Sequence, residues 1–234
     1  MIDCISVENM RQSDAETIAK FVPSLKLMHR AAMGVFRAVE WRGRIAIVVG
    51  SGNNGGDGFT LACILNEHKI DCTIFTVSQR LSADSAHYAA KATVLGITII
   101  PFAPGCLKGF DMVVDCLLGT GFQGVLRENY RTAIEEINAS DAQVISVDIN
   151  SGMNGDTGEG ELIVRSDLTV TIGFVKNGLV APNAGLYMNR LVCADIGIRL
   201  AYKENIICAT NEHHLNAIPC PPWLDMAVID VTSD

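Results

Sequence analysis

The feature that most constrains the fold begins at Arg44, where short apolar runs rich in β-branched residues start to alternate with longer segments of helical periodicity. The strand-like runs are RIAIVVG, DCTIFTV, ITIIPF, MVVDCLLG, AQVISVDI, LTVTIGF and LVCADIGI. Because these runs are apolar throughout, we expect both faces of the sheet to be covered. The pattern therefore predicts an α/β fold in which a mostly parallel sheet is flanked by helices.

Two helices are predicted before the first strand, over SVENMRQSDAETIAKFV and SLKLMHRAAMGVFRAV. Apolar residues of the second recur at three- and four-residue spacing, which is typical of an amphipathic helix, and Ser24 stands at its N-cap position. The alternation stops near Lys203, and the remaining segment carries three of the seven prolines. We therefore expect one domain over residues 1–202 and a tail or linker over 203–234.

The overall charge limits the class of ligand. The 234-residue chain has a formal net charge of -8, so its composition predicts no basic face for nucleic acid. No run approaches the roughly 18 apolar residues that cross a bilayer, so no membrane association is expected. A cytoplasmic location is predicted, or an organelle if a targeting segment is missing.

The turn after the first predicted strand, GSGNNGGDG, is rich in glycine and polar residues. Gly50, Gly52 and Gly55 satisfy G-x-G-x-x-G, but the end of the next strand, VSQR, lacks the acid of a dinucleotide fingerprint. The oxygens of Asn53, Asn54 and Asp57 could hold a hard cation, while backbone N–H groups could meet a phosphate. We favour a ligand-binding turn over a merely tight one.

Two aspartates end other predicted strands. Asp115 closes MVVD and precedes the glycine-rich loop CLLGTGFQG, and Asp148 closes VISVD and precedes INSG. A single such aspartate often caps a helix or anchors a loop. Because parallel strands present their carboxyl ends at one edge, three such loops predict a shared cleft.

These motifs resemble a known family. GNNGGDG (52–58), VDCLLGTGFQG (114–124), VDINSGMNGDTGE (147–159) and TVTIGFVKNGL (169–179) are similar to motifs of the NAD(P)HX epimerase family, the YjeF N-terminal type of domain. The likeness covers roughly residues 1–200. It implies a three-layer αβα sandwich of Rossmann-like topology. It also implies an isomerase of metabolite repair that interconverts the R and S forms of hydrated NADH and NADPH (NADHX and NADPHX).

The resemblance assigns roles by position. It implies a catalytic Asp148 and one K⁺ per subunit held by Asn54, Asp115 and Ser151. It further implies a homodimer and a fused or separate ADP- or ATP-dependent dehydratase as partner. The implied substrate contacts are Asn53, Asn54, Gly55, Gly56, Asp57, Gly119, Thr120, Gly121, Phe122, Gln123, Gly124, Val125 and Asp148.

The chain departs from the family pattern at three positions. Asn150 stands where proline is usual, which is expected to loosen the loop that places Ser151; His29 replaces a common acid, and Cys116 a small residue. For Lys176, in FVKNG, two interpretations stay open: a phosphate contact or a solvated loop lysine.

The chemistry that the resemblance implies gives Asp148 two possible roles. The substrate hydroxyl lies on a carbon next to the ring nitrogen, whose lone pair can expel it to leave a cationic iminium that water attacks from either face. Asp148 could donate and accept the proton, or could stabilise the cation by its charge. Two alternatives remain: a non-catalytic binding or scaffold module of the same fold, and a dehydrogenase that uses the turn from Gly50.

Overall fold

The structure is a computed structural model that describes residues 2–204, 206–209 and 217–234. In chain order, the elements are β1 (Ile2–Ile5), α1 (Val7–Lys20), α2 (Ser24–Ala38), β2 (Ile45–Val49), α3 (Asn53–Glu67), β3 (Cys72–Thr76), α4 (Ala83–Val94), β4 (Thr98–Pro101), β5 (Met112–Cys116), α5 (Glu128–Ala139), β6 (Gln143–Val147), β7 (Leu168–Ile172), β8 (Val175–Lys176), β9 (Leu191–Asp195), β10 (Ile206–Ala209), β11 (Ala217–Pro219) and β12 (Leu224–Asp230). Two short 3-10 helices, Asn177–Val180 and Ala184–Leu186, lie between β8 and β9.

The main sheet has eight strands in the order β12-β9-β7-β6-β5-β2-β3-β4, and every neighbouring pair is parallel. The predicted parallel sheet is confirmed. All residues of β2, β5 and β7 are buried, as their continuous apolar runs predict. Strand β4 differs, because it lies at one edge of the sheet and its Ile100 is exposed. Its apolar run predicted a buried strand, and the sequence did not show that β4 has a neighbouring strand on one side only.

Successive side chains of β2 point to opposite faces and enter two different cores. Ile45, Ile47 and Val49 pack into the core under α2, α3 and α4, while Ala46 and Val48 pack into the core under α5. The sheet thus has helices on both faces, and the predicted three-layer αβα arrangement is confirmed. Among the described residues, none of the helices is both long and apolar enough to span a membrane.

The helices before the sheet begin slightly differently from the prediction. Ser6 caps α1, because its side-chain oxygen accepts a hydrogen bond from the N–H of Asn9 at 3.2 Å. Ser24, predicted as the cap of α2, is the first helical residue instead, and Pro23 at the N-cap offers no side-chain hydrogen bond. Pro23, whose φ is fixed by its ring, takes the N-cap position, so α2 starts without a polar cap.

Much of the predicted tail is part of the folded domain. Strand β10 pairs antiparallel with β1 in a second, small sheet of order β11-β10-β1-β8, and β12 extends the main sheet beside β9. The Trp223 indole N–H donates to the carbonyl of Leu179 at 3.0 Å, and the buried Arg30 guanidinium donates to the carbonyls of Ile196 and Thr232. A linker is therefore the wrong description of residues 220–234; residues 205 and 210–216 of that prediction lie outside the described residues.

Candidate active site

A cleft of about 650 Å³ lies where the carboxyl ends of the central strands meet α1, α2 and α3. Loops at this edge come from the ends of β2, β5 and β6, as the parallel order predicts. The lining residues are Val7, Met10, Arg11, Asp14, Ile18, Ser24, Leu27, Met28, Ala31, Ser51, Gly52, Asn53, Asn54, Asp57, Asp84, Leu117, Leu118, Gly119, Thr120, Gly121, Phe122, Gln123, Asp148, Ile172, Ile196 and Ile198.

The glycines of the turn between β2 and α3 serve two purposes. A Cβ on Gly50 would stand 1.9 Å from the carbonyl oxygen of Leu117, and one on Gly55 would stand 2.3 Å from the carbonyl oxygen of Gly50. These two glycines therefore let protein backbone approach protein backbone. Gly52, in contrast, lines the cleft and has nothing within 4 Å of such a Cβ, which leaves its backbone open to a ligand.

The two asparagines of this turn differ in burial. Asn53 is exposed, and its side-chain oxygen accepts a hydrogen bond from the Ser82 hydroxyl at 2.8 Å. Asn54 is only 6% exposed; its amide nitrogen donates to the carbonyl of Leu118 at 3.0 Å, and its Oδ1 is buried with no hydrogen-bond partner among the described residues. A buried acceptor without a donor is costly, so a bound cation or a ligand donor at this oxygen would stabilise the site.

Asp115, at the end of β5, is fully buried and accepts four hydrogen bonds. The donors are the N–H of Leu117 at 3.2 Å, the hydroxyl of Ser146 at 2.9 Å, and both the N–H (3.0 Å) and the hydroxyl (2.5 Å) of Ser151. Burial raises the pKa of Asp115, and these hydrogen bonds oppose the rise because they favour the charged form. Asp115 thereby ties the loop after β6 to β5.

The predicted ligand residues come together at this corner. The Ser151 hydroxyl also accepts a hydrogen bond from the N–H of Leu118 at 2.9 Å, and the carbonyl of Leu118 receives the amide of Asn54. One chain of hydrogen bonds thus connects Asn54, Asp115 and Ser151.

Asp148 has an unusual backbone at the end of β6. Its φ is +69°, in the left-handed region that residues other than glycine rarely adopt. The N–H of Ile149 donates to the carbonyl of Val147 at 2.9 Å. A hydrogen bond between residues two apart around a positive φ defines the rarer and more strained kind of γ-turn. Such strain is concentrated at functional sites, and here it accompanies a side chain that lines the cleft.

The Asp148 carboxylate has two donors from different elements. The N–H of Thr120 donates to Oδ2 at 3.1 Å, and the ammonium of Lys176 donates to Oδ1 at 2.5 Å. Lys176 is fully buried, whereas the Asp148 side chain is 16% exposed. Neither interpretation of Lys176 from the sequence is correct, since it is neither a solvated loop residue nor a group that faces the open cleft.

Two further carboxyl groups line the cleft near Asp148. Asp57 lies in the first turns of α3, and Asp14 lies in the middle of α1. Burial raises the pKa of Asp14 and raises that of Asp57 well above its usual value, and the negative charge of Asp148 adds to both effects. Asp14 was missed in the sequence because α1 carries no motif; only the chain folding back over the sheet edge brings it to the site.

The predicted substrate contacts divide into two groups. Nine line the cleft: Asn53, Asn54, Asp57, Gly119, Thr120, Gly121, Phe122, Gln123 and Asp148. Gly55 and Gly56 instead face protein atoms of Gly50, Met28 and Ser85. Val125 is largely exposed, and Gly124 lines a neighbouring cavity of about 460 Å³ that shares Phe122 and Gln123 with the cleft.

Asn150 does not loosen the loop as expected from the missing proline. Its buried amide nitrogen donates to the carbonyls of Val164 and Tyr187, each at 2.9 Å, and to the Ser166 hydroxyl at 3.0 Å, while its oxygen accepts from the Thr169 hydroxyl at 2.7 Å. The hydrogen bonds of the Asn150 side chain thus fix the loop that carries Ser151. A proline at this position would instead restrict the loop by fixing its backbone φ.

Comparison with known proteins identifies the family. A family model described as YjeF-related protein N-terminus matches residues 24–178. An NAD(P)H-hydrate epimerase of Limosilactobacillus fermentum is 36% identical over 199 residues, which are 82% of this chain and 95% of that protein. One of Rhodopirellula baltica is 35% identical over 207 residues, covering 84% of this chain and 85% of that protein.

Two further matches add context. A bifunctional NAD(P)H-hydrate repair enzyme of Pyrobaculum aerophilum is 37% identical over 191 residues, 76% of this chain but 38% of that longer protein. The crystal structure of yeast ynu0 (YNL200c) superposes with a TM-score of 0.72 at 18% identity, covering 85% of this chain and 90% of that one, which supports the fold. On its sequence and its fold, the chain belongs to the family of YjeF-related protein N-termini.

Proposed function

We propose that this protein is an NAD(P)H-hydrate epimerase, which interconverts the R and S forms of NADHX and NADPHX in the repair of nicotinamide cofactors. Family members with that name match over most of this chain and most of their own length. The observation that carries the proposal is the placement of Asp148, a carboxylate in a strained turn that lines a cleft built by the family's glycine-rich loops.

The reaction requires a group that manages one proton and one positive charge. Departure of the hydroxyl leaves a cationic iminium, and water must then add to the opposite face. A carboxylate beside this carbon can stabilise the cation and can exchange a proton with the oxygen, which is typically worth about 10² to 10⁴ in rate. Asp148 fits both roles because its side chain is held by Thr120 and Lys176 yet remains partly open.

Asp14 and Asp57 fit a complementary role. Burial raises the pKa of both carboxyls, so each can hold a proton for the leaving hydroxide. Pairs of carboxyl groups whose environments separate their pKa values commonly divide acid and base work in this way. The nine predicted contact residues that line the cleft would bind the rest of the substrate.

The activity can be tested with a mixture of R and S NADHX and a dehydratase that consumes only the S form. Without this protein, the R form should disappear only at its spontaneous rate. With it, we expect both forms to be consumed at a rate proportional to its concentration. A rate of R consumption that does not depend on the protein would refute the proposal.

A bound K⁺ ion is part of the proposal. Asn54, Asp115 and Ser151 would hold it, together with backbone carbonyls, as hard oxygen ligands around one buried carboxylate. The fit rests on the orphaned Oδ1 of Asn54, which lies in the same hydrogen-bond chain as the other two residues. Among the described residues, no group of three or more His, Cys, Asp or Glu is placed to hold a metal, so a transition-metal site is not supported. When bound, K⁺ would offset the charge of Asp115 and hold the three loops together.

The neighbouring asparagines provide a matched test for the ion. We expect the melting temperature of the wild type to be higher in KCl than in NaCl or choline chloride at equal ionic strength, because a ligand that binds the folded state stabilises it. Asn54→Ala should abolish this difference, whereas Asn53→Ala at the exposed neighbour should keep it. Equal melting temperatures in all three salts would exclude the ion.

The partners implied by the family complete the proposal. A dehydratase would act on the S form, as a fused domain or as a separate protein; bifunctional relatives combine repair activities in one longer chain. We further propose a homodimer, which sedimentation equilibrium would test, and a cytoplasmic location.

A further inference from the structure

The mechanism proposed so far uses Lys176 only as one of the two groups that contact the Asp148 carboxylate. It lies on β8, whose neighbour β1 belongs to the small sheet, and its side chain reaches under the cleft to Asp148. A lysine with no exposed surface is rare unless its charge is compensated, because removal of an ammonium from water is expensive.

All three protons of the Lys176 ammonium are used within the protein. They are donated to Asp148 Oδ1 at 2.5 Å, to the carbonyl of Ile172 at 2.8 Å and to the Thr171 hydroxyl at 3.0 Å. An ammonium has three donors and no acceptor. Lys176 therefore has no proton to offer to a phosphate or a substrate hydroxyl, and any effect on the reaction must pass through Asp148.

The contact fixes the direction of the Asp148 carboxylate. Lys176 holds Oδ1, and the N–H of Thr120 holds Oδ2. A carboxylate oxygen can accept more than one hydrogen bond, so each keeps a position for water or substrate. The left-handed backbone of Asp148 is strained. These contacts help to hold the strained conformation.

The other charged groups of the cleft would work against a negative Asp148. Carboxyl groups approach it from α1 (Asp14) and α3 (Asp57), and Asp84 of α4 also lines the cleft. The guanidinium of Arg11 also lines the cleft, but it is exposed and paired with Glu8. Lys176 is thus the buried positive charge that balances these acids at Asp148.

We propose that Lys176 is the positioning residue of the reaction, because its hydrogen bond and its positive charge hold the Asp148 carboxylate in the direction that faces the cleft. This inference rests on the proposed epimerase function. Asp148 then accepts the proton of the incoming water as the new C–O bond forms and the iminium electrons return to nitrogen. The proton that leaves with the departing hydroxide comes from the carboxyl of Asp14 or Asp57, and proton exchange with solvent then restores that carboxyl and removes the proton that Asp148 has accepted.

The test compares Lys176→Met in two backgrounds, with R-to-S conversion measured over a range of substrate concentrations. In the wild type, we expect the substitution to lower kcat about 100-fold and to change KM less than about threefold, because Lys176 does not touch the substrate. In an Asp148→Asn background, it should change kcat less than about twofold, since two residues that act as one unit are not additive.

Arg30→Met is the matched control, because Arg30 is another buried cation and its contacts are to backbone carbonyls at the end of the sheet. It should lower stability without the loss of kcat. If Lys176→Met does not fold, Lys176→Gln keeps a donor and removes the charge, and the same pattern is expected. A normal kcat in the Lys176 variant, or an equal loss in both backgrounds, would overturn the inference, whereas an inactive wild type would refute the proposed function itself.

Discussion

Asp115 and Asp148 both lie near the carboxyl ends of neighbouring strands, yet their surroundings are opposite. Asp115 is sealed inside the protein and receives four hydrogen bonds from its own loops. Asp148 is partly open, sits in a γ-turn with positive φ, and has one donor on each oxygen. The Asp115 corner is built to be stable, and the Asp148 corner is built to present a charge.

The difference teaches that an acid at a strand end is not by itself a catalytic signal. Saturated hydrogen bonds make Asp115 an anchor that holds the loop of Ser151, and so indirectly the turn that contains Asp148. Strain and unsaturated oxygens mark Asp148 as the group with capacity for a ligand. Substitution of Asp148 should therefore mainly lower activity, and substitution of Asp115 should mainly lower stability.

The largest expected effect is the loss of activity in Asp148→Asn. The amide keeps the shape, and asparagine tolerates a positive φ, but the charge and the proton acceptor are gone. We expect kcat for epimerisation to fall by about 10² to 10⁴. The free energy of unfolding, measured with urea, should fall as well, because the buried Lys176 ammonium loses its carboxylate partner. An enzyme with full turnover after this change would remove Asp148 from the mechanism.

Asp115→Asn should reverse this pattern and mainly affect stability. An amide NH₂ would face two of the four donors that the carboxylate now accepts, which leaves buried polar groups unpaired. We expect a loss of about 2 to 4 kcal/mol in the free energy of unfolding. The exposed Asp141→Asn serves as the control for the loss of one negative charge. A loss no greater than in that control would contradict the anchoring role.

The sequence predicts the parts of this comparison that depend on local pattern. Apolar runs located the central strands, and the acids and glycines after them located the cleft, because parallel strands end at one edge. Asp115 and Asp148 were both found in this way. Their different surroundings were not, because three of the four donors of Asp115 and the Lys176 partner of Asp148 come from other segments of the chain.

The remaining failures have the same physical origin. Lys176 follows the apolar run of β7 by a few residues, and only the return of β8 beside β1 buries it. The proline-rich composition of the end of the chain predicts a linker. In the structure, however, β12 pairs with β9, and the Arg30 guanidinium donates a hydrogen bond to the carbonyl of Thr232. Such long-range pairing leaves no periodic trace in the sequence.

A smaller effect is expected from Asp57→Asn, which removes an acid from the Asp148 corner. The folded-state pKa of Asp57 is raised above 3.8 by burial and by Asp148, so the folded protein keeps this proton to a higher pH than the unfolded chain. Stability is therefore lost as pH rises from about 3.8 through the folded-state pKa. Asn is neutral at every pH, so the variant should gain on the order of 1 kcal/mol at high pH and progressively less as pH falls.

The measurement for Asp57→Asn is the urea unfolding free energy across that pH range, compared with Asp141→Asn. Asp141 is exposed, so its substitution should leave the shape of the pH dependence unchanged. A stability difference between Asp57→Asn and the wild type that stays constant with pH would show that the carboxyl of Asp57 titrates as in the unfolded chain. The Asp148 corner would then lack the neutral acid that the proposed mechanism needs.

The smallest effect is expected from Gly119→Ala, which probes how closely the loop after β5 approaches Asp148. A Cβ at Gly119 would stand 3.0 Å from Asp148 Oδ2 and 3.3 Å from the Cβ of Asn54, so the carboxylate must shift by a few tenths of an ångström. Because reaction rates depend steeply on the placement of reacting groups, we expect kcat/KM to fall about threefold to tenfold. The free energy of unfolding of the same variant should change by less than about 1 kcal/mol, since the four hydrogen bonds of Asp115 are not touched. A large stability loss with normal turnover would mean that Gly119 belongs to the anchoring corner and not to the one that presents Asp148.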